Sequence, residues 1–193
     1  EEHELKTRVV VNATGVFSDS IQRMDDTAHE SNVMPSQGVH LVLDSSFLPG
    51  NTAIMIPHTD DGRVLFAVPW HQKVILGTTD TPVNTIKAEP VAMREEIEFI
   101  LTHARRYLTK DPELSDIKSI FAGLRPLIRG GVKKTADLSR DHSINISSSG
   151  LINILGGKWT TYRKMAEDAV NAAAIEASLP YRDCITSALP IHG

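Results

Sequence analysis

A glycine pair followed by a cation, Gly156-Gly157-Lys158, comes directly after the apolar residues 151–155. Glycine leaves the backbone open to close approach by another molecule, and the start of a helix adds N–H groups without partners inside the helix. Thr160 or Thr161 can cap such a helix, which we predict over residues 160–178. The segment therefore predicts a strand, a tight turn and a helix start whose bare amides bind an anion or a polarised carbonyl.

The predicted helix has one face of small and apolar residues at helical spacing: Tyr162, Met165, Ala166, Ala169 and Ala173. An ordinary strand, turn and helix without a ligand is the alternative interpretation. A nucleotide-binding P-loop is excluded, because it requires glycine where Ile152 stands and a hydroxyl residue where Trp159 follows the lysine.

Polar groups also follow other predicted strands. Thr79 and Asp80 come directly after the strand predicted at 74–78, where a capped turn is the alternative to a binding site. Arg125 precedes a proline that favours extended backbone, so its guanidinium could bind phosphate or carboxylate at two points, or form a surface ion pair. Arg140 is most simply an ion-pair partner of its neighbour Asp141. His40 stands between apolar residues, which is typical of a structural histidine.

Composition limits the classes of function. The chain has 193 residues, of which 41% are hydrophobic and 23% charged, as in a globular protein with one large or two small domains. The net charge of −4 gives no support for nucleic-acid binding. Cys184 is the only cysteine, so a disulfide framework and a cysteine-based metal site are excluded, and no metal site is expected. No apolar run approaches the roughly 20 residues that cross a bilayer.

Short apolar runs between turn residues predict strands at 8–12, 38–43, 53–56, 64–68, 74–78, 117–124, 142–146 and 151–155. Helices are predicted at 16–24, from Glu89-Pro90 to Leu108, and at 160–178. The turns between the middle strands, including one at Pro69, indicate an antiparallel sheet. Residues 129–141 are polar and predict a loop. The predicted fold class is therefore α+β, with a part of α/β type.

Five motifs occur together in this order: 10–15 (VVNATG), 77–80 (GTTD), 123–127 (GLRPL), 139–142 (SRDH) and 156–163 (GGKWTTYR). In this order they resemble the FAD-dependent glycerol-3-phosphate dehydrogenases, within the D-amino-acid-oxidase-like flavoprotein superfamily. The resemblance covers about residues 8–180.

The resemblance implies a domain organisation. Residues 1–30 and 128–180 would be parts of a Rossmann-like FAD-binding domain, and 31–127 a substrate-binding domain with a mainly antiparallel sheet. Residues 181–193 would lead to a further domain. Members of the family hold the FAD pyrophosphate on a Gly-x-Gly-x-x-Gly motif, which this sequence lacks. The chain is therefore expected to be a fragment from the C-terminal half of a longer enzyme, and to bind FAD weakly or not at all by itself.

The resemblance also implies chemistry: oxidation of sn-glycerol 3-phosphate to dihydroxyacetone phosphate by hydride transfer to flavin N5, with electrons passing to a membrane quinone. His40, Arg125 and Lys158 would be catalytic, and His40 would accept the hydroxyl proton. Thr79, Arg125, Arg140 and Lys158 would bind substrate. FAD would contact Ala13, Thr14, Gly15, Gly156, Gly157, Lys158, Thr160 and Thr161.

For location, the family implies the cytoplasm with peripheral attachment to the inner face of the membrane, and it allows a homodimer. Two alternatives to this function remain open. One is a related flavoprotein oxidase acting on an amine or amino acid, and the other is a binding domain without catalysis.

Overall fold

The computed structural model describes residues 2–57, 59–60, 62–129 and 141–192. These residues form nine strands and three α-helices and divide into two compact units. The first unit contains the described residues of 2–34, 126–129 and 141–192, and the second contains those of 35–125. The chain passes from the first unit to the second within one long strand and returns within another. Among the described residues, no helix is both long enough and apolar enough to span a bilayer.

The first unit is built on a three-stranded sheet in the order β1-β9-β8, with β1 parallel to β9 and β8 antiparallel to it. Its elements are β1 (Val11–Asn12), α1 (Ser18–Asp25), β8 (His142–Ile146), β9 (Ile152–Gly156) and α3 (Tyr162–Glu176). Short 3₁₀ turns at Gly15–Phe17 and Trp159–Thr161 precede α1 and α3. Residues 151–155 are buried, as a short branched run between glycines predicts.

The second unit contains a six-stranded sheet in the order β3-β4-β5-β2-β6, with β7 also paired to β2. Its elements are β2 (Val33–Asp44), β3 (Ile54–Ile56), β4 (Leu65–Trp70), β5 (Lys73–Gly77), β6 (Thr81–Pro82), α2 (Arg94–Ala104) and β7 (Ser119–Ile128), and 3₁₀ turns lie at Ser45–Phe47 and Leu114–Asp116. The pairings of β3, β4, β5 and β6 are antiparallel, which confirms the predicted α+β class with an antiparallel sheet.

One face of this sheet packs on α2. Leu41, Leu76 and Ala67 are paired across β2, β5 and β4, and all three have no solvent exposure. They form one core with Ile100 and Leu101 of the helix. Side chains alternate between the two faces of a strand. The strand residues next to these core residues therefore point to the opposite face of the sheet, which we call the open face.

Several predicted boundaries were wrong, for identifiable reasons. Helix α2 begins at Arg94 instead of Glu89-Pro90, because the Glu96 carboxylate accepts the Met93 N–H at 2.9 Å and starts the helix there. It ends at Ala104, before the predicted Leu108. Strand β4 continues through Pro69, where it pairs only with β5, because β3 pairs with residues 65–67 alone.

Two further strands are longer than predicted and one is shorter. Strand β7 continues through Pro126, since a proline's fixed φ is compatible with extended backbone. Strand β2 begins at Val33, ahead of the predicted Gly38, and its polar residues Ser36 and Gln37 pair with β6, which the sequence did not predict. Strand β1 covers only Val11–Asn12 of the predicted 8–12.

Candidate functional site

The first unit contains a cavity of about 420 Å³ where β1 and β9 meet the start of α3. Five of the predicted cofactor-binding residues line it: Ala13, Gly15, Gly156, Gly157 and Lys158. The rest of its lining is Val11, Ile154, Trp159, Tyr162, Met165, Ala166 and Ala169. The small-residue face predicted for the helix therefore borders this cavity for most of its length. The lining consists of mostly apolar side chains, glycine residues and one cation, which suits an aromatic ring with a negatively charged edge.

A buried pair of asparagines fixes the two strands beneath the cavity. Asn12 of β1 donates from Nδ2 to Asn153 Oδ1 at 2.7 Å, and the two residues are paired in register. Both are 2% exposed. The Thr14 hydroxyl donates to Asn12 Oδ1 at 2.7 Å, so Thr14 shapes the turn that carries Ala13 and Gly15. Buried polar groups need such partners, and the network therefore holds the glycine and alanine backbone in place.

The predicted bare amides are not found at the glycine pair. Gly156 and Gly157 have φ of 69° and 86°, in the left-handed region that suits glycine. The Gly157 N–H donates to the Asp141 carbonyl at 3.3 Å. The Lys158 N–H donates to Thr161 Oγ1 at 3.2 Å. The prediction failed because the turn folds back on its own chain, so its amides are used to hold its shape.

The two threonines of the turn have different positions. The Thr161 hydroxyl accepts from the Lys158 N–H and donates to the Lys158 carbonyl at 3.0 Å, which closes the 3₁₀ turn ahead of α3. It makes no side-chain capping bond to α3 itself. Thr160 is exposed and lies outside the lining of the cavity. Trp159 is 87% exposed and stacks on Tyr162, with ring centroids 5.8 Å apart, at the margin of the cavity.

The second unit brings Arg125 and His40 to the open face of its sheet. In register across four strands, Met55, Phe66, Gly77 and His40 form one row on that face. Gly38 lies two residues before His40 and so points the same way. A Cβ built on Gly38 would lie 2.3 Å from Arg125 Nη2, so the guanidinium rests directly on the glycine backbone.

Arg125 is held by the segment that follows β5. Its Nη1 donates to the Thr79 carbonyl at 3.0 Å, and its Nη2 donates to Thr78 Oγ1 at 3.1 Å. The Asp80 carboxylate lies 3.9 Å from Nη1 and accepts a short hydrogen bond from Ser36. The side chain of Arg125 is 27% exposed. The fold thus presents a cation in a fixed orientation at a partly open position, which is the arrangement that anion binding requires.

His40 is a half-buried imidazole beside this cation. Its ring stacks on Phe121, with centroids 4.9 Å apart and planes 10° apart, and its Cδ2 would be 2.2 Å from a Cβ on Gly77. Burial lowers the pKa of His40, and the positive charge of Arg125 lowers it further. The neutral imidazole is therefore favoured, and it can accept a proton.

Thr79 does not occupy the position that substrate binding would require of its side chain. The residue is 1% exposed. Its hydroxyl donates to Glu96 Oε1 at 2.9 Å and accepts the Val39 N–H at 3.0 Å. The expectation that this hydroxyl binds substrate is therefore wrong for this structure, and Thr79 instead contributes its carbonyl to the orientation of Arg125.

One predicted site residue lies outside the part of the chain that the structure describes, and three residues of the site were not predicted. Arg140 lies outside the described residues. Gly38, Phe121 and Glu96 were not predicted as site residues from the sequence. Gly38 could have been found from its spacing of two from His40, which places both on one face of a strand. Phe121 carries no such local signal, because its contact with His40 comes from a distant part of the chain. The contacts of Glu96 with Gln37 and Thr79 are likewise distant in sequence.

The cavity lies at the carboxyl ends of the parallel strands β1 and β9, which is where ligands bind in open α/β sheets. Residues 1–163 match the family described as FAD dependent oxidoreductase. The chain belongs to this family.

Relatives with assigned names make the comparison more specific. The chain is 44% identical over 178 residues to "Glycerol-3-phosphate dehydrogenase, mitochondrial" of Homo sapiens, covering 90% of the chain and 24% of that protein. It is 43% identical over 197 residues to the probable enzyme of the same name from Caenorhabditis elegans, covering 100% of the chain and 27% of that protein. The chain thus spans about a quarter of the length of these relatives. The predicted resemblance to this group is confirmed.

Solved structures agree in fold. The glycerol-3-phosphate dehydrogenase from Bacillus halodurans, complexed with FAD, superposes with a TM-score of 0.82 at 38% identity, over 96% of this chain and 35% of that one. The L-alpha-glycerophosphate oxidase of Mycoplasma pneumoniae, with FAD bound, superposes with a TM-score of 0.62 at 16% identity, over 89% of this chain and 43% of that one. The second likeness concerns the fold alone.

The residues of the cavity fit part of an FAD molecule. A Cβ on Gly15, which has a φ of 59°, would meet nothing within 4 Å, so this position faces open space. Around it are the backbone of Gly156 and Gly157 and the apolar face of α3. Flat aromatic rings pack well against such surfaces, and Lys158 adds a positive charge at the rim.

Proposed function

We propose that this chain forms the substrate-binding sheet and part of the FAD-binding region of a dehydrogenase that oxidises sn-glycerol 3-phosphate to dihydroxyacetone phosphate. The observation that carries the proposal is the placement of Arg125 and His40 on one open sheet face. A cation there can bind the phosphate, and a neutral imidazole beside it can accept a proton. The names of the relatives supply the substrate class.

Arg125 binds the phosphate of the substrate in this proposal. Its guanidinium is pre-oriented by the Thr79 carbonyl and the Thr78 hydroxyl, so little side-chain entropy is lost on binding. A charge-assisted hydrogen bond contributes about 1.5–3 kcal/mol. In the full-length protein, Arg125→Gln should therefore raise KM for glycerol 3-phosphate about 10- to 100-fold. An unchanged KM would remove Arg125 from the phosphate site. Arg140 is proposed as a second phosphate ligand.

His40 takes the proton from the C2 hydroxyl of the substrate. Oxidation of that carbon releases a hydride and a proton, and a neutral imidazole is suited to accept the proton near neutral pH. The stacking on Phe121 and the close approach to Gly77 keep the ring in one orientation. The lowered pKa of His40 keeps the ring unprotonated over a wider pH range.

The residues around the cavity of the first unit hold FAD in the full-length enzyme. FAD, when bound, supplies the hydride acceptor, and its electrons pass on to a membrane quinone. Ala13, Gly15, Gly156 and Gly157 line the cavity with small residues, and the Lys158 ammonium would neutralise negative charge. Thr14 and Thr161 support the turns around the cavity, and Thr160, on the turn before α3, is proposed to contact FAD. Because the chain lacks a Gly-x-Gly-x-x-Gly motif, we propose that it binds FAD weakly when produced alone.

Substrate turnover by the full-length protein tests this function. Reduction of an artificial electron acceptor should depend on glycerol 3-phosphate and should not occur with glycine or sarcosine. Turnover of glycine or sarcosine alone would instead indicate an amine or amino-acid oxidase. A full-length protein that retains no flavin would indicate a binding domain without catalysis. For the chain produced alone, flavin absorbance at unit stoichiometry would contradict the proposed weak binding.

The proposal also includes peripheral attachment to the cytoplasmic face of the membrane, where quinone is available, and a homodimer. Cosedimentation of the full-length protein with lipid vesicles that contain ubiquinone would test the attachment. Mass measurement in solution would test the dimer.

A further inference from the structure

Glu96 is a buried carboxylate that the proposed chemistry does not use. It lies in the first turn of α2 and is 4% exposed. It accepts hydrogen bonds from the Thr79 hydroxyl at 2.9 Å, from Gln37 Nε2 at 2.7 Å and from the Met93 N–H at 2.9 Å. These three donors are neutral. Burial of a charged group is costly unless it is well hydrogen-bonded, and this arrangement meets that condition.

Two of these contacts have a plain structural purpose. The Met93 N–H bond starts helix α2, and the position at the helix N-terminus stabilises a negative charge. The Gln37 amide, which also donates to the Val91 carbonyl at 3.1 Å, ties the helix start to β2. The contact with Thr79 differs, because Thr79 is also in contact with the proposed phosphate ligand.

Thr79 connects the two faces of the sheet. Its hydroxyl lies on the side of α2, where it is fixed between Glu96 Oε1 and the Val39 N–H. Its carbonyl accepts from Arg125 Nη1 at 3.0 Å. The residue before it, Thr78, accepts from Nη2. A movement of Thr79 toward or away from the helix would therefore move both acceptors that orient the guanidinium.

We infer that Glu96 is a positioning residue for Arg125: it fixes Thr79 from the helix side of the sheet, and Thr79 fixes the guanidinium on the open face. This inference rests on the proposed role of Arg125 in binding phosphate. Its consequence is that substrate affinity depends on a carboxylate that never touches the substrate.

The test uses kinetics of the full-length enzyme with glycerol 3-phosphate. Thr79→Val removes the hydroxyl and keeps both the shape and the carbonyl, and Glu96→Gln removes the charge. Each variant weakens the orientation of the guanidinium but leaves its charge in place, so we expect KM to rise less than in Arg125→Gln, about 5- to 10-fold, with kcat changed less than twofold. Thr79→Ser restores the hydroxyl and should restore KM. Glu98→Gln, on the exposed side of the same helix, is the matched control and should behave as the wild type.

A double-mutant cycle distinguishes positioning from a general structural effect. In the Arg125→Gln background, Thr79→Val and Glu96→Gln should cause no further rise in KM, because they act through the guanidinium. Additive effects in that background would overturn the inference, and so would an unchanged KM in both single variants. If Glu96→Gln does not fold, the Val and Ser variants of Thr79 decide the question. If Arg125→Gln itself leaves KM unchanged, phosphate binding by Arg125 is contradicted. If Arg125→Gln raises KM but the Thr79 and Glu96 variants do not, only the positioning role of Glu96 is contradicted.

Discussion

The guanidinium of Arg125 rests on the backbone of Gly38, and a Cβ on that glycine would lie 2.3 Å from Nη2 and 2.6 Å from Cζ. The glycine thus leaves room for a cation against the strand that also carries His40. A larger residue would fill the position of the guanidinium. The missing side chain of Gly38 on β2 thus determines where the charge of Arg125 lies on the open face.

Gly38→Ala should displace Arg125 without unfolding the protein. The atoms that the new methyl group would meet belong to the end of a flexible side chain, which can move away. We expect KM for glycerol 3-phosphate in the full-length enzyme to rise about tenfold, since part of a charge-assisted contact is lost. Gly123→Ala on β7 is the control, because a Cβ there would meet nothing within 4 Å. Equal KM values for the two variants would contradict the arrangement.

Arg125→Gln should raise the pKa of His40. Burial is the main cause of the lowered pKa and would persist, whereas the repulsion by the guanidinium would be removed. Histidine ring NMR signals followed against pH would measure the change, with His40→Asn used to assign the resonance. A pKa that stays the same or falls in Arg125→Gln would show that the two groups are not electrostatically coupled.

The same shift has a consequence for stability. Because the pKa of His40 is lower in the folded state than its ordinary value of 6.5, the unfolded chain binds more protons as the pH falls below about 6.5. Protonation of His40 in the unfolded chain therefore decreases the free energy of unfolding as the pH falls from about 6.5 to the lower pKa of the folded state. The test is denaturant unfolding at pH 7.5 and pH 5.5, on either side of about 6.5. His40→Asn should lose less free energy of unfolding between these two pH values than the wild type does.

Gly156→Ala should destabilise the first unit far more than Gly15→Ala. Both positions have positive φ, and an alanine there costs about 1–2 kcal/mol. At Gly156 a Cβ would also lie 2.6 Å from the Asp141 carbonyl oxygen, whereas at Gly15 it would meet nothing within 4 Å. Urea unfolding monitored by circular dichroism should therefore separate the two variants by at least about 1 kcal/mol. Equal midpoints would contradict the described turn.

The sequence predicted the regular parts of this fold well, because they depend on local patterns. The pair β8 and β9 agrees with prediction to within a residue, since each strand is an apolar run bounded by turn residues. Prolines were misleading at positions 69 and 126, where the backbone stays extended. Their effect depends on whether a neighbouring strand needs the missing N–H, and this is not a local property.

The sequence predicted several residues of the candidate site, but it did not predict the contacts that those residues make. The type and position of Arg125 indicated an anion ligand or a surface ion pair, and the role of His40 came from the family resemblance. The structure places both residues on one face. The amides of Gly157 and Lys158 were expected to be available, yet each has an acceptor from residues nearby in the fold. The burial of the Thr79 hydroxyl could not be predicted from the sequence either, because its partner Glu96 lies 17 residues away in the chain.

The absorbance spectrum of the full-length protein, before and after addition of glycerol 3-phosphate without oxygen, tests the central proposal most directly. We expect flavin bands in the purified protein and their bleaching by glycerol 3-phosphate, since the substrate would reduce the bound FAD. The same amount of glycerol, which lacks the phosphate that Arg125 is proposed to bind, should bleach them far less. Flavin bands that glycerol 3-phosphate leaves unchanged, or a protein without flavin bands, would contradict the account.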